Sequence, residues 1–148
     1  MGHPITIPRT GSSGLAFVGE LIDRFAAASA DLPPSSLAPI DEVRRRLEVY
    51  LYQSDGGDYV VWVICRNEPG GELRRSDAYV GNRSEDLIRQ LRSQDCTHAI
   101  LELAVGREGD DRDLLERELM AHWDNVVQLI ELSIEVRART RYSVVQVH

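Results

Sequence analysis

The sequence predicts an α+β domain, a mainly antiparallel sheet with helices packed on one face. The sheet is expected as a three-stranded meander plus one or two further strands. The helices are expected as an N-terminal one, a short middle one and a long C-terminal one. Three observations point there. Two β-rich runs between 47 and 65 are parted by a glycine turn, apolar residues at 15–29 and 110–130 recur at helical spacing, and short apolar runs return near 98–105 and 142–147. At 148 residues the chain is expected as one domain, 1–148.

Residues 1–13 carry Pro4, Pro8 and most of a Thr-Gly-Ser-Ser-Gly run, and are expected as a flexible N-terminus with a short extended piece at Ile5 and Ile7. Leu15, Val18, Ile22, Phe25 and Ala26 follow at helical spacing with Glu20, Asp23 and Arg24 between them, which predicts an amphipathic helix over 15–29. Pro33, Pro34 and Pro39 end it and make 30–42 a proline-rich connection.

Leu47, Val49 and Leu51 alternate with Glu48, Tyr50 and Tyr52. After Ser54-Asp-Gly-Gly-Asp58 comes the run Tyr59–Cys65, so the two runs predict a hairpin. A second turn at 67–71 leads to a third strand near Leu73–Val80. Both faces of the hairpin are apolar, so its second face must also be covered: by the long C-terminal helix, a second subunit or a partner.

Asn82 and Glu85 suggest a capping box for a helix bearing Leu87, Ile88 and Leu91. Residues 98–105 predict a fourth strand. Asp110 or Asp111 then caps a long helix with Leu115, Leu119, Trp123, Val126 or Val127, and Ile130 on one stripe. Over 128–138 strand alternation and helical spacing compete; Tyr142–Val147 reads as a strand.

All seventeen basic residues are arginine. The absent lysine excludes a P-loop, a Schiff base and a Ser–Lys dyad. A net charge of −7 argues against general affinity for nucleic acid or an anionic membrane. Two cysteines in apolar contexts suggest free thiols in a reducing cytoplasm, and neither a signal peptide nor a membrane span is visible. Cys65, Cys96, His98 and His122 lack the paired spacing of a zinc site, and Glu118 with His122 is at most half of one. The acidic run 108–118 suits a helix N-terminus. No metal or cofactor is expected.

Two sets of residues are candidates for function. Cys96 and His98 lie two apart, hence on one side of a strand, and would share that face as a nucleophile and base. Tyr50, Tyr52 and Trp62 on the hairpin, with Arg137, Arg139 and Arg141 alternating near the C-terminus, suit a partner-binding surface.

From Leu101 the order Leu-Glu-Leu-Ala-Val, then Asp113-Leu-Leu-Glu, Trp123 and Arg141-Tyr-Ser-Val-Val resembles the C-terminal domain of the vWA–MoxR-associated proteins of bacterial conflict systems. Ser143 stands where that family has proline, and the Leu-Pro before the leucine pair is missing. The resemblance implies a non-catalytic protein-interaction or adaptor module of a bacterial defence or signalling assembly, with a protein partner or a second copy. The alternatives are a secretion-chaperone-like acidic dimer, by order of elements, and a small enzyme using Cys96 and His98.

Overall fold

The computed structural model describes residues 2–29, 44–68, 73–101 and 109–146. Within them, side chains are described except at 26–29, 44–45, 67–68, 74, 111 and 140–146. The fold is α+β. Five strands, β1 (His3–Arg9), β2 (Ser12–Ser29), β3 (Arg44–Ser54), β4 (Tyr59–Glu68) and β5 (Leu73–Gly81), form one antiparallel sheet in chain order. Helices α1 (Ser84–Leu91), α2 (Gln94–Leu101) and α3 (Gly109–Gln146) follow.

The three strands of the predicted meander are β3, β4 and β5, but they are part of a five-stranded meander rather than a unit of their own. Its first turn closes as the residues dictate: Gly57 takes φ +97°, the Ser54 amide donates to the Asp58 carbonyl at 2.8 Å, and the Asp58 amide donates to Ser54 Oγ at 3.0 Å. Ahead of the meander, the expected flexible N-terminus is strand β1, and the expected helix over 15–29 is the long strand β2. The helical spacing there has a physical origin. The register runs Leu21↔Tyr52 and then Asp23↔Leu51, so Ile22 is an extra residue in β2. Such a bulge swaps the faces of a strand whose side chains alternate. Leu15 and Phe17 point to one side of the sheet, Ile22 and Phe25 to the other. A phase change in a period of two imitates a period near 3.6.

The two sides of the sheet hold two cores. On the outer side Val49, Leu51, Val61 and Val63 pack against Leu87 and Leu91 of α1, Cys96 and Ile100 of α2, and the stripe Leu115, Leu119, Trp123, Val126, Val127, Ile130 and Ile134 of α3. On the inner side the sheet curls over Ile7, Tyr52 and Val60, with Phe17, Tyr50 and Trp62 beside them. The curl brings β5 back to the end of β1. The Thr10 amide donates to the Ser76 carbonyl at 2.8 Å, the Ser76 amide donates to Thr10 Oγ1 at 2.9 Å, and Ser76 Oγ–H donates to the Pro8 carbonyl. The second face of the hairpin is therefore covered by the sheet itself, with Leu15 and Phe17 of β2 supplying part of the cover.

The middle helix is present as α1. Its N-cap is Arg83, without a side-chain capping bond, rather than Asn82. The segment expected as a fourth strand is helical as far as Leu101; 102–105 lie outside the described residues, as does the proline-rich connection 30–42. The long helix does not stop at 130. It runs through the ambiguous 128–138 and on to Gln146, across most of the segment expected as a closing strand. Ile134 continues the buried stripe, and this burial favours the helical alternative.

Candidate functional site

Helix α2 separates the expected dyad. Residues two apart on a helix lie about 200° around its axis, and Cys96 is fully buried whereas His98 is exposed. Cys96 shares a side-chain hydrogen bond with Tyr79 of β5, beside an ion pair of Arg75 Nε with Asp77 Oδ2 at 2.7 Å. Burial pushes the Cys96 thiol up to about 11, more than the Tyr79 hydrogen bond lowers it. Burial also raises the Tyr79 phenol well above its ordinary range. At neutral pH this sulfur is a protonated thiol inside the outer core, a poor nucleophile. Among the described residues no cluster of three metal-ligating side chains forms.

The six predicted partner-binding residues fall on different surfaces. Tyr50, Tyr52 and Trp62 line the inner side of the curl. Tyr52 is buried and meets Phe17 edge to face at 5.8 Å between ring centroids; Tyr50 lies 5.5 Å from Trp62. Burial, then the neighbouring Tyr50, raises the Tyr52 phenol. Trp62 Nε1–H donates to Ser76 Oγ at 2.8 Å, so its polar edge serves the closure of the sheet. The arginines lie on α3, across the sheet. Arg137 Nε donates to Gln53 Oε1 at 2.7 Å and its Nη2 pairs with Glu20, which ties α3 to β2 and β3. Arg139 projects into solvent with a loose contact to Glu135 at 4.0 Å. The side chain of Arg141 lies outside those described. Two-residue steps that would align on a strand spread around a helix, so the arginines make no single row.

A different surface emerges on the same helix. Leu129, Leu132 and Val136 are 43%, 53% and 51% exposed, and Leu114 is 54% exposed. With the exposed Ala121 they make a second apolar stripe, on the side of α3 turned away from its buried one. The sequence carries a signal for it, two apolar stripes in one helical run, but the strand alternation that competes over 128–138 conceals it. Exposed apolar side chains in line, rather than scattered, mark a contact surface. No helix among the described residues is long and apolar enough to cross a membrane. No family model, no curated protein and no solved structure matches this chain.

Proposed function

We propose that the protein is an interaction module without chemistry of its own, which pairs with a second copy through the outward stripe of α3. The observation that carries this reading is the exposure of Leu129, Leu132 and Val136 along one side of a 38-residue helix whose other side is buried. Charge supports a second copy as the occupant. An antiparallel pair centred near Val126 sets the exposed Arg117 of each copy against the exposed Glu135 of the other, and Leu132 against the small Ala121. Opposite charges flanking an apolar seam select partner and orientation in helix pairs. A role as adaptor in a bacterial defence or signalling assembly belongs to the same proposal and rests on the resemblance alone.

Light scattering on the whole chain tests it. The wild type should have twice the chain mass at micromolar concentration. Leu132→Arg should be monomeric with an unchanged thermal melt, since the residue is half exposed and lies off the core. Arg117→Glu and Glu135→Arg should each weaken pairing, and the two together should restore it. A monomeric wild type, or a Leu132→Arg variant that still pairs, would overturn the proposal.

A further inference from the structure

The inner side of the sheet gathers arginines at one corner, in a chain whose net charge is −7. Arg24 stands across from Tyr50; Glu48 lies one row further along the same side, and Arg46, across from Arg66, lies in the row after it. Glu48 is shared by two arginines: Arg66 Nε lies 3.2 Å from Oε2 and Arg46 Nε 3.6 Å from Oε1. Two guanidinium groups therefore meet this carboxylate, and a third, that of Arg24, stands over the neighbouring Tyr50. The Arg24 guanidinium sits 5.6 Å from the centre of the Tyr50 ring, held over its face by the negative charge of the π system.

A cavity of about 180 Å3 opens at this corner. Arg24, Arg46, Glu48 and Tyr50 form its polar wall, and Phe25 and Leu47 its apolar one. It exists because β2 slips again against β3. Ala26 faces Glu48 but Ser29 faces Arg46, so β2 spends an extra residue and the two strands part beside Leu47.

The geometry points to a binding site for a small oxyanion, a carboxylate or a phosphate, gripped by Arg24 and Arg46. Guanidinium is planar, always charged and matched in shape to both anions. Arg24 is preorganised by the Tyr50 ring, and among the described residues that ring is the contact its guanidinium makes. Glu48 acts as a built-in competitor. An entering anion takes over part of the charge that Glu48 supplies to Arg46, as a substitute for it rather than an addition. The arginines of this site lie on the inner side of the sheet, away from the exposed stripe of α3, and the site does not depend on the pairing proposed above.

NMR titration of the full chain, following the arginine Nε–H signals, tests the site with inorganic phosphate in one arm and acetate in the other, each against chloride at equal ionic strength. Saturable shifts at Arg24 and Arg46 with at least one anion, at a Kd of ~1–10 mM, are expected; the stronger arm identifies the anion class. Arg24→Gln and Arg46→Gln should each weaken binding about tenfold or more, the usual cost of one charged hydrogen bond. Glu48→Gln should tighten it several-fold. Both arginines are exposed, and an unchanged melt verifies that each variant is folded. Absence of saturation with both anions, affinity unaltered by either arginine change, or weaker binding in Glu48→Gln would overturn the assignment.

Discussion

Trp62 donates its indole N–H to the hydroxyl of Ser76 at 2.8 Å, and that hydroxyl donates in turn to the carbonyl of Pro8, so the aromatic wall of the inner side and the seam of the curled sheet share one fully buried oxygen. Ser76→Ala should leave the part-buried indole N–H and the Pro8 carbonyl without their shared partner. An unfolding loss of ~1–3 kcal/mol is expected, since a hydrogen-bonding group left without its partner costs about that much. Urea denaturation measures it. Faster hydrogen exchange at the Thr10 amide, which donates to Ser76 across the seam, would show that the loss is at the closure.

The two tryptophans should behave differently. Trp123 is 2% exposed and donates to the Leu91 carbonyl at 2.8 Å, so Trp123→Ala empties the centre of the outer core and should cost ~4–5 kcal/mol or more. Trp62 is only partly buried, and Trp62→Ala should cost ~2–3 kcal/mol. Thermal melts of the two variants rank them; equal losses would contradict the division into two cores.

Gly19 lies where β2 presses on β3. A Cβ at this position would stand 2.4 Å from the Gln53 carbonyl oxygen and 2.9 Å from the Ser54 Cα, both backbone atoms that cannot step aside. Gly19→Ala should cost ~1–3 kcal/mol through forced separation of the strands. Gly11, at φ +77° with open space around its missing side chain, should instead respond to conformation alone. Gly11→Asn should be milder than Gly11→Val, because asparagine tolerates the left-handed region.

Alkaline pH should destabilise the fold. The folded Cys96 thiol titrates near 11 against an ordinary value of 9.0, so the unfolded chain loses this proton first. The stabilisation is complete below pH ~9 and is lost as the pH rises towards ~11. Tyr79, also raised by burial, pushes in the same direction. Urea midpoints should fall between pH ~8 and ~10.5, and by less in Cys96→Ala. In the native state near neutral pH, Cys96 should resist thiol reagents, which need an accessible thiolate.

Arg137→Ala should loosen the far half of α3 while leaving the rest intact. It removes a bond to Gln53, which is 7% exposed, and the pairing with Glu20. A loss of ~1–2 kcal/mol is expected. Hydrogen exchange should rise at 134–146 more than at 115–130.

Local pairing made the meander legible from its residues. Val49 and Leu51 face Val63 and Val61 across a four-residue turn, and the alternation that sets this register lies within one short stretch of chain. The buried stripe from Leu115 to Ile130 was legible for the same reason, as was α1 from Leu87, Ile88 and Leu91. The candidate dyad failed because Cys96 and His98 sit in an apolar run too short for periodicity to separate strand from helix. The helical choice comes from what Cys96 and Ile100 bury against, and that lies elsewhere in the chain.

The phase of β2, the curl of the sheet and the fate of 132–146 depended on distant partners. Ile22 is a bulge only because β3 stands beside it. Ser76 is a seam residue only because Pro8, 68 positions away, arrives at its hydroxyl. Alternation and turn chemistry act between neighbours and can be read along the chain. Burial and closure act between residues that meet only after folding, so one apolar side chain fits a strand or a helix until its partner is in place.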